Sequence, residues 1–208
     1  PDVVAGLHES VKLMESLGHE MVEDQIEIDW SHFFEALVTL WTAYLTWAID
    51  SVANAMKRTP SYDNMERVTV ELYEHGKTLT AMDMHDAIAN INTVTRASGA
   101  FLAKHDLFLT PTIAQPPLTL GTLNQNEIGV DAREWTRRVF DWVPFTPLFN
   151  STGQPAISLP LHWSPDGLPI GMHFAANLND EATLIRLAAQ LEEAKPWKDK
   201  RPPVFYAE

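Results

Sequence analysis

The segment Phe145–Phe174, a Gly/Pro-punctuated loop leading into two apolar runs, constrains this chain more than any other. Two short apolar runs, Ala156–Trp163 and Leu168–Phe174, flank the tetrapeptide Ser164-Pro165-Asp166-Gly167. Apolar runs bounded by Pro, Asp and Gly signal strand–turn–strand. Pro165 pre-sets φ at the first turn position, Asp166 suits the next, and Gly167 can take φ > 0 where a bulge closes the hairpin. Ala156–Leu161 and the run Leu107–Thr110 are almost continuously apolar, as strands of a sheet covered on both faces are. Pro111 stops the earlier strand.

Upstream, helical periodicity dominates. Val4, Leu7, Val11 and Met14 form a stripe, with Gly18 as C-cap. A short strand is expected around Glu20–Val22. Trp30–Lys57 reads as a long helix with Asp29 or Ser31 as N-cap. Asp63–His75 reads as an amphipathic helix ending at Gly76. Thr80-Ala81-Met82-Asp83 resembles a capping box, opening a helix with Met84, Ile88, Ile91 and Val94 on one face. Ala114–Gly129 is turn-rich and reads as a surface loop. Helices are expected again over Asp131–Asp141 and Asp180–Glu193, the latter capped by Asn179 or Asp180. No repeat or linker divides the 208 residues, so a single domain over 1–208 is expected. The start at Pro1, without Met, suits a chain cut from a longer one and equally a processing scar at a true domain start.

Charge and composition exclude several classes. With 15 Lys+Arg against 28 Asp+Glu the net charge is −13, which disfavours nucleic acid and anionic membranes as partners. The absence of cysteine excludes disulfides, thiolate metal sites and a Cys nucleophile, and fits a reducing, cytoplasmic compartment. Phe33–Ile49 carries one charge, at Glu35, but is slightly short of the roughly 20 apolar residues of a membrane span. Trp41 and Tyr44 sit mid-segment rather than at an interface. A soluble helix buried on most faces, in a core or an interface, is the favoured reading.

No active site emerges from the residues themselves. The nine serines include no G-x-S-x-G elbow and no S-x-x-K pair. Ser10 and Lys12 fall on different faces of the first helix. Ser151-Thr152-Gly153 is the nearest thing to a nucleophile loop, but it lacks a neighbouring base and reads as a structural turn. The histidines have no tight ligand spacing, so no metal is expected, and no cofactor is implied. His162 and His173 could face each other across the hairpin.

Five motifs, in order, resemble the C-terminal half of amidase-signature enzymes. VKLMESLGHEMVE (Val11–Glu23) resembles the family's helix followed by LGHEVEE. HDLFLTPTI (His105–Ile113) is similar to DVLLTPT, and FNSTGQPAISLPL (Phe149–Leu161) to N-x-TG-x-PA-x-S-x-P. Gly167–Phe174 resembles the GLP-x-G strand, and Asp180–Glu192 the closing E-x-x-LL-x-LA-x-x-LE helix. The tail Lys195–Val204 resembles bacterial hydrolases of cyclic amides and oligoamides. The resemblance implies an α/β fold: a mixed β-sheet flanked by helices, with a helix-rich first half. It also implies carboxamide hydrolysis by a Ser–cis-Ser–Lys triad that the family carries in its N-terminal half. No catalytic residue carries over to this chain, which alone is then expected to be inactive. Its matching positions are walls of the substrate funnel: Thr110, Pro111, Thr112 and Ile113 in the TPT loop, with Phe145 and Asn150 on the approach to the TG-x-P motif. The substrate implied is a small amide. Pro111 can equally set a turn and Asn150 satisfy backbone groups. A sheet edge and a helix face left uncovered would favour association with a second copy or with the remainder of the enzyme. The other class that stays open is a non-catalytic α/β binding or scaffolding module derived from this fold.

Overall fold

Three strands and seven helices make up the computed structural model, which describes residues 1–202 and Val204. Pro203, within the tail motif, lies outside the described residues. Two compact units result. One comprises Pro1–Gln25, Gly99–Pro117 and the described residues from Pro144 onward; the other comprises Ile26–Ser98 and Leu118–Val143.

The first unit is built on the hairpin. β2 spans Ala156–Trp163 and β3 spans Pro169–Ala176. Ser164 N donates to Leu168 O and Gly167 N to Ser164 O, with Gly167 at φ +80°, so the turn forms as its residues require. β1 (Leu107–Pro111) pairs with the other edge of β3, giving the order β1-β3-β2. The fold is α/β as expected, but the three-stranded sheet of the described residues is antiparallel throughout rather than mixed, because β3 runs opposite to both of its neighbours. Cover on both faces belongs to the central strand: Met172–Ala176 are all buried, whereas Ala156 and Ser158 of β2 are exposed. α1 (Asp2–Ser16) and α7 (Glu181–Ala194) pack on the sheet, and Val3, Met14, Leu161, Met172, Phe174 and Leu191 join in one apolar cluster.

Local chemistry fixes the ends. Gly18 (φ +93°) follows α1, with Gly18 N donating to Glu15 O and His19 N to Met14 O, a Schellman closure. The His162 ring lies 3.0 Å from where a Cβ at Gly6 would stand, so the missing side chain lets α1 lie close on β2. His162 Nδ1 meets Glu9 Oε2 at 2.9 Å.

In the second unit, α2 runs Trp30–Met56 with Asp29 as N-cap, its carboxylate accepting from His32 N. α2 packs on α3 (Arg67–Gly76) and α5 (Ala132–Trp142). α4 (Ala81–Leu102) opens on a reciprocal box: Asp83 accepts from Thr80 N at 2.7 Å, and Asp83 N donates to Thr80 Oγ1. The Thr80 hydroxyl and then its N–H hold the Asp83 carboxyl below its ordinary pKa. Gly76 meets α2 where a Cβ would stand 2.0 Å from Thr46 Oγ1.

Several expectations change. Glu20–Val22 is irregular rather than a strand, because no neighbouring strand pairs with it. α3 starts at Arg67 and not Asp63, since Asn64 closes a preceding turn through Thr59 O and Ser61 N. The buried face of α4 is Ala87, Asn90, Val94 and Ser98; Ile88 is exposed. A seventh helix, α6 (Thr146–Thr152), stands where a loop and turn were expected. Within its unit α2 is buried along one stripe only, Phe33, Ala36, Leu37, Val38, Thr42 and Thr46, and not on most faces. It is long and apolar enough to cross a membrane by length and composition.

Candidate functional site

Strand alternation sorts the first unit's sheet into two faces. One carries the apolar cluster. The other carries a polar row, because Thr110, His173 and Ser158 are direct partners across β1, β3 and β2. Thr110 Oγ1 lies 3.4 Å from His173 Nδ1, a long contact whose donor depends on the imidazole tautomer. One step along, Thr112 N donates to Gly171 O at 2.9 Å. The Thr112 and Ser158 hydroxyls then meet at 2.6 Å. They meet across the intervening strand because residue 171 is glycine: a Cβ there would stand 2.6 Å from Thr112 Oγ1 and 2.7 Å from Ser158 Oγ.

α6 supplies the apolar neighbour. The Phe149 ring centroid lies 5.4 Å from that of His173 and 6.1 Å from that of Phe108. Buried at 5% exposure, His173 has its pKa pushed below the ordinary histidine value by loss of water. It is a neutral imidazole at pH 7. The row can therefore hydrogen-bond a neutral polar group through hydroxyls and an uncharged ring.

Thr110 and Pro111 are buried and Thr112 and Ile113 half-buried, consecutive at the end of β1. Phe145 is the N-cap of α6 and Asn150 an exposed residue of its last turn. Neither makes a hydrogen bond or ring contact to Thr110–Ile113 among the described residues. The structure thus joins Thr110, Pro111 and Thr112 to β3, with Ile113 next in the chain. Ser158, Gly171, His173 and Phe149 join this row without a motif that marks them as site residues: the register at the turn would set Ser158 opposite Phe174, the shift between Leu159 and His162 brings it opposite His173, and the Thr110 contact needs β1 in place. His162 and His173 do not face each other: His162 opposes Ile170, after a shift between Leu159 and His162. Ser151 is in α6 rather than a turn, and its hydroxyl donates to Pro147 O at 2.8 Å, an ordinary i−4 helix bond. Ser10 Oγ likewise donates to Gly6 O.

Comparison with known proteins gives this face a context. The family model described as Amidase matches residues 1–185. The chain belongs to the amidase family. "Putative amidase AmiC" of Mycobacterium leprae is 34% identical over 191 residues, covering 90% of this chain and 39% of the relative. "Lipoamidase" of Enterococcus faecalis is 27% identical over 222 residues, covering 93% of this chain and 30% of the relative. The structure of 6-aminohexanoate cyclic dimer hydrolase complexed with substrate superposes with a TM-score of 0.88 at 25% identity, over 98% of this chain and 43% of that one. The chain spans about two fifths of the length of the first curated relatives it matches. Its fold is thus that of an amidase-signature enzyme, seen over part of such an enzyme's length.

Proposed function

We propose that this chain is the C-terminal portion of an amidohydrolase that cleaves carboxamide C–N bonds by the Ser–cis-Ser–Lys mechanism, with the triad carried in an N-terminal half outside these residues. The observation that carries this reading is the superposition on 6-aminohexanoate cyclic dimer hydrolase over 98% of the chain. The site chemistry supports it. Ser10 and Ser151 spend their hydroxyls on backbone carbonyls of their own helices, so neither is set up as an activated nucleophile. The Thr110–Thr112 segment, backed by Ser158 and His173, is instead suited to lining a funnel for a neutral amide. Pro111, Ile113, Phe145 and Asn150 belong to the same wall in this reading, the substrate is a small linear or cyclic amide, no cofactor takes part, and the enzyme works in the cytoplasm.

The test assays the 208-residue chain and the complete reading frame that contains it, side by side, on an aryl anilide and on linear and cyclic aliphatic amides. Turnover by the complete protein with none by the chain is the expected result. Hydrolysis by the chain alone overturns the placement of the triad. Inactivity of the complete protein on all three substrates turns the reading towards a non-catalytic module of the same fold.

A further inference from the structure

We propose that an apolar cavity at the C-terminal end of α2 binds a small monocarboxylate with an apolar tail. The cavity measures about 330 Å³ and lies within the second unit. Its walls are Ile49, Val52, Ala53 and Met56 of α2, facing Pro60 and Met65 of the return loop. This volume is at the lower end of small-ligand sites, enough for a tail of about six to ten carbons.

The loop that closes it is preformed. Arg58 N donates to Ala53 O, and Lys57 takes the left-handed conformation at φ +52°. Asn64 spans the loop, its Nδ2 donating to Thr59 O and its Oδ1 accepting from Ser61 N. Met65 N donates to Ser61 O. The apolar walls are nevertheless wet: Val52 and Met56 are more than half exposed. A ligand tail would cover them, at about 0.8 kcal/mol per buried methylene.

Charge selects the head group. Arg58 is the charged residue among those lining the cavity, and it makes no ion pair among the described residues. It is a cation at the mouth of an apolar cavity in a chain of net charge −13. The carbonyl end of α2 opposes an anion there, but its effect amounts to about half a charge and fades within a turn. The guanidinium adds a paired-donor geometry that fits a carboxylate. The inference concerns the second unit alone and does not depend on the catalytic reading.

Octanoate is the probe, titrated into the full chain by calorimetry below its micellar concentration, alongside hexanoate and neutral octanamide. Saturable octanoate binding is expected, about tenfold or more tighter than hexanoate for two methylenes and about tenfold tighter than octanamide. Arg58→Gln should remove the preference for octanoate over octanamide. Ala53→Leu should weaken both by filling the cavity, with circular dichroism confirming that each variant keeps its helices. Absence of saturable binding, equal affinity for octanoate and octanamide, or an Arg58→Gln variant that keeps the preference would overturn the site.

Discussion

The two units treat apolar residues in opposite ways. In the first, the central strand is sealed: Met172 and Phe174 are fully buried between helices and neighbouring strands. In the second, α2 buries a single stripe, while Tyr44, Trp47, Val52 and Met56 are more than half exposed. Both segments are equally apolar to the eye. What separates them is how many elements reach each side chain: β3 has a strand on either side and helices over it, whereas α2 is contacted by α3 and α5. Composition sets what wants to be buried, and topology decides what is.

The largest effect that tests this contrast is a paired truncation. Phe174→Ala should cost about 3–5 kcal/mol, the price of a large buried cavity. Tyr44→Ala should stay within about 0.5 kcal/mol, as exposed substitutions do. Denaturant titration reads both, and a comparable loss at Tyr44 would mean that the exposed face of α2 is covered in solution.

Next come the two tight glycines. Gly76→Ala sets a Cβ 2.9 Å from the Thr42 carbonyl as well as on Thr46 Oγ1. Backbone yields poorly, so about 3 kcal/mol is expected. Gly171→Ala meets hydroxyls that can rotate away, and about 1–2 kcal/mol is expected. In a Thr112→Ala/Ser158→Ala background that second cost should fall by about half, which a double-mutant cycle measures. Undiminished cost would show that the hydroxyl pair is not what fills the space.

A smaller signature is pH. The unfolded His173 protonates near pH 6.5, and the folded one at lower pH because burial disfavours its charge. Below about pH 6.5 the unfolded chain therefore holds more protons, and stability falls as pH drops from there through the folded pKa. The slope is at most about 1.4 kcal/mol per pH unit for one group, and His173→Gln should remove that group's share of it. Smallest is a gain: Lys57→Gly relieves a left-handed non-glycine cap and should add about 0.5–1 kcal/mol, read as a raised melting temperature.

Local chemistry made much of this fold legible. The turn at Ser164–Gly167, the Asp29 cap and the Thr80–Asp83 box each depend on residues within four positions, and all three form. What escaped depends on partners far away. Glu20–Val22 had a strand-like pattern and no strand to join. α6 is seven residues long with Pro147 in its first turn, too short to show a helical period. On α4, small residues rather than Ile88 face inward, which only the packing reveals. At the site, the TPT motif drew notice to Thr110–Ile113, whereas His173 and Ser158 join them through a β1–β3 pairing across more than sixty residues.

That pairing also has a timing. β1 ends at Pro111, and its partner β3 is complete only at Ala176, after every residue of the second unit has been made. At ribosomal speeds of about 5–20 residues per second, the apolar strand Leu107–Pro111 waits roughly 3–13 s for its partner. The sheet cannot close before then, and in that interval the nascent chain carries an unpaired β1, the kind of segment a chaperone would hold.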